Sequence, residues 1–371
     1  METSLRWQIA LTLIPGMGPV NAKSLLNFFD IEEVFYTNRI TLEKSGALPQ
    51  RLLDPLLYFS DWKRVEQEMH FIERNHIRPL FITDTDYPSR LLSCPDAPIL
   101  LYYMGDALLN APRTIAVVGT RGCTRHGVRM TEEIIAQLVP YGATIVSGLA
   151  IGIDTVAHEN AMQNGLPTLA VLPLGLDAVY PAINRPLARK ILRAGGGLLT
   201  ESMTKNKGDA YLFPRRNRIV AGSCDAVVVI ESEKKGGSLI TAGLATDYER
   251  EVFAIPGRIT DPKSQGCHSL IKQQKALLIE SGDDIASWMG WQRTADATVP
   301  EQKSKKNNTP PTALTTAEAR LLNYISTAET PSIDQLNEWN QNEPQALAAA
   351  LLNLELAGLI VSLPGNRYQP V

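Results

Sequence analysis

Through the middle of the chain, short apolar runs alternate with helix-spaced patterns. The runs fall at Ile115 to Val118, Thr144 to Val146, Thr168 to Leu172, Ala226 to Ile230 and Val252 to Ile255. This alternation predicts an α/β domain, an extended Rossmann-like parallel sheet with helices on both faces. Several runs end in glycine or serine, and loops at the carboxyl ends of such strands build a ligand crevice. Residues 1–60 read as a small helical module, with Ile9, Leu11, Leu13, Leu25, Leu26, Phe28 and Phe29 around the turn Ile14-Pro15-Gly16-Met17-Gly18-Pro19. Residues 61–291 form the sheet domain. Its lead-in is helical at Trp62, Val65, Met69 and Ile72, then extended at Leu80 to Ile82 and Ile99 to Tyr103. Residues 292–312 are polar, contain proline, and read as a linker. Residues 313–371 carry three helical patterns, at 316–326, 332–339 and 344–357. They are followed by Leu359 to Leu363, Pro364-Gly365-Asn366 and Arg367 to Gln369, a winged-helix outline.

The chain has 371 residues, of which 44% are hydrophobic and 20% charged, too apolar for a disordered protein and long enough for more than one domain. With 36 Lys and Arg against 39 Asp and Glu the net charge is −3, so a uniformly basic coat is excluded and any anion site must be local. Cys94, Cys123, Cys224 and Cys267 lie far apart, which argues against a zinc cluster or a disulfide framework and fits a reducing cytoplasm. No run of 18 apolar residues and no signal-peptide pattern occurs, so no membrane partner is expected.

Candidate chemistry concentrates in loops after the predicted strands. Gly119-Thr120-Arg121-Gly122 links a strand to a helix, where backbone N–H groups can face an anion and Arg121 and Arg125 add charge. The same pattern also serves a tight structural turn. Ser147-Gly148-Leu149-Ala150-Ile151-Gly152-Ile153-Asp154 lets the backbone approach a ligand or a neighbouring loop closely. Asp154 and His158 lie four apart, but capping and packing outweigh metal binding because no third ligand follows; no metal and no cofactor are assigned. Phe213-Pro214-Arg215-Arg216-Asn217-Arg218 is the densest cationic element, with three guanidinium groups for phosphates and a ring on which a base can stack. Lys234-Lys235-Gly236-Gly237-Ser238 precedes a helical stretch and forms a further phosphate nest. Three anion-friendly loops at successive strand ends favour a polynucleotide track over a single nucleotide. The glycines of the N-terminal turn have the pattern of a helix-hairpin-helix, which binds DNA phosphates, and equally that of a helix-helix corner; only Lys23 adds nearby charge.

No P-loop and no G-x-G-x-x-G occurs, so the commonest nucleotide machinery is missing. Taken together, the four motifs 118–121, 147–154, 213–219 and 236–242 resemble the bacterial DNA-processing protein DprA (Smf) family in kind and order. The resemblance extends to the N-terminal module, similar to the family's SAM-like domain, and to the C-terminal winged-helix outline. It implies a non-enzymatic single-stranded DNA binder of natural transformation that protects incoming strands, helps load the RecA recombinase and acts as a homodimer. It also implies that Arg121 and the stretch Phe213 to Arg218 lie in the DNA pocket.

Two other readings compete. A sensor of a small nucleotide would keep the loops without chemistry. An enzyme of the phosphoribohydrolase type shares the Gly236-Gly237 loop, but Gly243 stands where its catalytic Glu would fall. The C-terminal module departs from a DNA-reading winged helix. Residues 313–371 hold Glu318, Glu329, Asp334, Glu338, Glu343 and Glu355 against Arg320 and Arg367, a net of −4. Its third helix has no Lys or Arg to neutralise phosphate, so it is expected to contact protein or the rest of the chain.

Overall fold

The structure, a computed structural model, describes residues 2–206, 209, 211–294, 315–328, 330–340, 344–357, 359–363 and 367–370. It divides into two units, residues 1–300 and 301–371. The expected linker, from residue 295 onward, and the hairpin tip Pro364-Gly365-Asn366 lie outside the described residues.

Helices α1 (Glu2–Leu13), α2 (Pro19–Leu26), α3 (Glu33–Tyr36), α4 (Arg39–Ser45), α5 (Leu53–Leu57) and α6 (Trp62–Arg74) open the first unit. Met17 N–H donates to the Ile14 carbonyl at 3.0 Å, and Gly16 sits at φ +80°, where a side chain would be strained, so α1 and α2 meet at a tight corner. Strand β1 (Arg78–Phe81), helix α7 (Ser89–Leu92) and strand β2 (Leu100–Gly105) follow. The extended lead-in thus forms two antiparallel strands added to the sheet, with β2 pairing β6 (Gly197–Thr200).

The rest of the unit is doubly wound. It comprises β3 (Thr114–Val118), α8 (Arg125–Leu138), β4 (Thr144–Ser147), α9 (Ile153–Gln163), β5 (Thr168–Val171), α10 (Arg185–Arg193), β6, α11 (Leu212–Gly222), β7 (Ala226–Val229), α12 (Gly237–Asp247), β8 (Glu251–Ala254), α13 (Gln265–Lys272), β9 (Leu277–Leu278) and α14 (Gly282–Trp288). Among the described residues the sheet has nine strands, ordered β1-β2-β6-β5-β4-β3-β7-β8-β9, and β3 to β9 pair in parallel.

Strand side chains alternate between two apolar cores, as a period of two requires. Ala116, Val118, Val227 and Val229 face one core, which also holds α11, α12 and the N-terminal helices. Ile115, Val117, Ala226 and Val228 face the other, with α8, α9 and α14. The helical segment expected as a module of its own therefore shares one continuous core with the sheet. Lys23 Nζ reinforces that junction by donating to the carbonyls of Cys94 (2.8 Å) and Pro95 (3.3 Å), which commits the cation that follows the glycine turn.

The chain winds outward from β3 through β4, β5 and β6, then crosses back to β7, β8 and β9. Helix α8 leaves β3 toward one core while α12 leaves β7 toward the other. Adjacent strands whose connections diverge in this way open a crevice at their carboxyl ends.

The second unit contains α15 (Thr316–Thr327), α16 (Ile333–Trp339), α17 (Pro344–Leu356) and an antiparallel pair, β10 (Ile360–Leu363) and β11 (Arg367–Pro370). Leu321, Ile325, Leu336, Leu347, Leu351, Leu354 and Ile360 form its core. Among the described residues no helix is long and apolar enough to cross a membrane.

Candidate nucleic-acid interface

A crevice of about 420 Å³ lies at the divergence of β3 and β7. The loop after β3 forms one wall. Thr120 N–H donates to the Glu231 carbonyl at 2.9 Å, and the Thr120 carbonyl accepts from Ile153 N–H at 3.3 Å, so this loop is tied to the end of β7 and the start of α9. Gly152, at φ +86°, lies where a Cβ would come within 2.3 Å of the Thr120 carbonyl oxygen; only glycine permits that approach. Glu231 is buried and accepts from Thr124 N–H at 2.9 Å and from the Thr124 hydroxyl, fixing the start of α8.

From this braced loop Arg121 projects into solvent, its guanidinium carbon 5.8 Å from the ring centroid of Phe213. Phe213 stands in the first turn of α11 and packs edge-on against Tyr180, with centroids 5.2 Å apart and planes at 68°. Tyr180 is 47% exposed. The crevice mouth thus carries an exposed cation and two aromatic rings. On the far side α12 starts at Gly237 with no side-chain cap; Leu239 N–H donates to the Gly236 carbonyl at 3.1 Å, while Gly237 and Ser238 line the crevice at the positive end of the helix dipole. Ser238 belongs to that turn, but its hydroxyl donates to Ser232 Oγ at 2.9 Å.

The floor is polar and internally satisfied. Arg216 is buried, and its guanidinium donates to the Val171 carbonyl at 2.6 Å and to the Gly148 carbonyl. Gly148 is glycine for this reason, because a Cβ there would lie 2.5 Å from the guanidinium carbon. Asp154 accepts from the N–H groups of Gly148 (3.1 Å) and Ala150 (3.3 Å), bracing the loop instead of capping its own helix. Burial pushes the Asp154 carboxyl up, with the Arg216 charge opposing; burial pulls Arg216 down, with Asp154 opposing.

His158 points elsewhere. Its Nδ1 lies 2.7 Å from the Thr168 hydroxyl, which itself donates to the Ile145 carbonyl at 2.9 Å, so Nδ1 carries the proton. Complete burial pulls this imidazole down to about 3 and keeps it neutral. Among the described residues no group of three or more His, Cys, Asp or Glu side chains is arranged to hold a metal.

The structure brings Gly119, Thr120, Arg121, Gly148, Phe213, Arg216, Asn217, Gly236, Gly237 and Ser238 to the crevice. It separates the others. The three arginines of α11 do not share a face on the crevice, which corrects the expectation of a triple phosphate grip. Arg218 is buried and pairs with Glu201, with Asp96 at 3.7 Å. Arg215 pairs with Glu201 at 3.0 Å and lines a separate groove toward the N-terminal helices. Ser147 is fully buried, its hydroxyl donating to the Val117 carbonyl at 2.7 Å, so its side chain meets no ligand. Lys234 and Lys235 are exposed on the loop before α12, beyond the crevice lining, and Arg125 lies in a neighbouring groove. Tyr180 escaped the sequence reading because no local pattern connects it with Phe213.

Comparison with known proteins places this architecture. A family model described as DNA recombination-mediator protein A matches residues 78–290, and one described as DprA winged helix domain matches 305–366. Protein Smf of Synechocystis is 30% identical over 97% of each chain. Protein Smf of Escherichia coli is 36% identical over 89% of this chain and 87% of its own. The solved DNA processing protein A of Streptococcus pneumoniae superposes with a TM-score of 0.65 at 34% identity, covering 78% of this chain and 99% of that one. The DNA processing protein A of Helicobacter pylori, solved for its single-stranded DNA binding mode, gives 0.52 at 30% identity over 58% of this chain and 97% of its own. A sheet that switches direction at this crevice, a matching family model over most of it and relatives aligned nearly end to end lead to one conclusion: the chain belongs to the DprA (Smf) family of DNA-processing proteins.

Proposed function

We propose that the protein binds single-stranded DNA along the carboxyl edge of its sheet and catalyses no reaction on it. The observation that carries this reading is the crevice mouth, where exposed Arg121 stands over Phe213 beside the half-exposed ring of Tyr180. An unpaired base can reach those rings and stack, whereas a base inside a duplex cannot. Arg121 and the start of α12 supply the phosphate contacts, and the exposed Lys234 and Lys235 add attraction that does not depend on sequence.

The two carboxylates at the crevice are already engaged. Asp154 accepts two backbone N–H groups and Glu233 pairs with Lys263, which favours a binding site over a general acid or base. The Helicobacter pylori relative, studied for its single-stranded DNA binding, supports the choice of ligand. The finer reading is that a homodimer protects incoming strands in the cytoplasm during natural transformation and passes them to the RecA recombinase; it rests on family membership.

Fluorescence anisotropy with a labelled single strand tests the reading, using unlabelled single strand, duplex and mononucleotide as competitors. Single strand should displace the probe, duplex should do so far less well, and mononucleotide should fail at equal concentration. Equal competition by mononucleotide would return the nucleotide-sensor reading, and equal competition by duplex would reject the aromatic mouth as the selective element.

A further inference from the structure

Resting on the single-strand reading above, we propose that the strand leaves the crevice over Gly122 and is gripped a second time in the groove beyond it, where Arg125 and Arg258 form a phosphate clamp. This groove, of about 550 Å³, lies between the start of α8 and the loop after β8. β8 is two strands from β3 in the sheet, so the groove lies about 10 Å further along the same edge. Along the chain, exposed Gly122 stands between Arg121 of the crevice and Thr124 of the groove. Gly122 has no side chain, and Lys263 Nζ lies 3.6 Å from where a Cβ would be.

Charge is what marks the groove. Arg125 and Arg258 come from separate elements and both are exposed. Two of the acids around them are paired with cations, Glu233 with Lys263 and Glu133 with Arg129; Glu231 is buried against Thr124, and Asp261 lines the groove with Oδ1 on the Lys263 N–H, so the two arginines outweigh the one carboxylate in the lining. Arg125 and His126 also open α8, whose first turn holds no acid. A cation at the positive end of a helix is unfavourable by itself and becomes favourable when an anion lies between them. Beside Arg258, Ile259 is 89% exposed and offers an apolar face to a sugar or base.

The test compares the wild type with an Arg125→Ala/Arg258→Ala double variant on labelled oligothymidylates of about 4 and about 16 nucleotides, the ends of the site-size range for single-strand modules. For the long strand, affinity should fall at least tenfold and the log-log salt slope should become shallower by about 1.4, two contacts at about 0.7 each. Binding of the short strand should not change, and Arg258→Lys alone should keep the wild-type slope. Unchanged long-strand binding, or equal loss on both strands, would overturn the clamp while leaving the crevice in place. A wild type that binds neither strand would overturn the single-strand reading itself. Both side chains are exposed and unpaired among the described residues, so a thermal melt should superpose on the wild type.

Discussion

The loop after β3 carries one crevice arginine that faces solvent, whereas α11 carries three, of which Arg216 and Arg218 are buried. The loop is rigid because its backbone is bonded to β7 and α9, and its cation is left unpaired among the described residues. On α11 the cations are spent inward: Arg218 and Arg215 on Glu201, Arg216 on two carbonyls. Local charge density in a sequence is therefore a poor guide to the charge a ligand meets. Available charge is what remains after the fold has paired its own.

Substitutions can break this contrast. Arg218→Ala should have the largest effect and should act on stability: it leaves the largely enclosed Glu201 with only the half-exposed Arg215, at a cost of about 3 kcal/mol in denaturant titration, the low end for breaking a buried pair because one partner stays. A loss below 1 kcal/mol, with weakened DNA binding, would move Arg218 into the ligand site.

The second test uses pH. His158 is neutral when folded, down to about 3. In the unfolded chain it protonates near its ordinary value of about 6.5. Its contribution is therefore complete above that value and is lost as the pH falls toward 3, at about 1.4 kcal/mol per pH unit. Denaturant midpoints of wild type and His158→Gln across this window should show the variant losing that part of the slope; parallel curves would contradict the neutral buried imidazole.

Phe213→Ala should cost binding instead of stability, about 1–3 kcal/mol for one stacked base, and Phe213→Tyr should restore it. Retained affinity in the alanine variant would remove stacking from the account. The smallest effect is expected from ending the chain at Pro300, which keeps the whole first unit. Because the C-terminal module carries a net of −4 and its third helix lacks cations, single-strand affinity should stay within about threefold, as for the loss of a module that makes no phosphate contact. A tenfold loss would return DNA contacts to that module.

The central strands were legible because each is a short β-branched or apolar run with a glycine, serine or proline close behind it, and five were placed within a residue or so of their observed bounds. β6 was not, because Gly195-Gly196-Gly197 masks it as a turn. β9 is two residues long and exists through its pairing with β8. The extended runs 80–82 and 99–103 were visible, but their membership of the sheet depends on a partner nearly a hundred residues downstream.

The crevice was legible at its glycines and at Arg121, where the motif and the exposed cation coincide in one loop. The fate of Arg218 was not, since it is set by Glu201 and Asp96, residues that only the fold brings together. For the same reason Glu231 gave no signal as the residue that fixes Thr124, nor did Arg258 as a residue sharing a groove with Arg125.

The central claim is that usable charge sits on the loop after β3. Arg121→Ala tests it most directly, with single-strand affinity and thermal stability measured on the same preparation. The account predicts a roughly 10- to 100-fold weaker dissociation constant, the worth of about 1.5–3 kcal/mol for a charged hydrogen bond, with a shallower salt dependence and an unchanged melting curve. Wild-type affinity in that variant would contradict it.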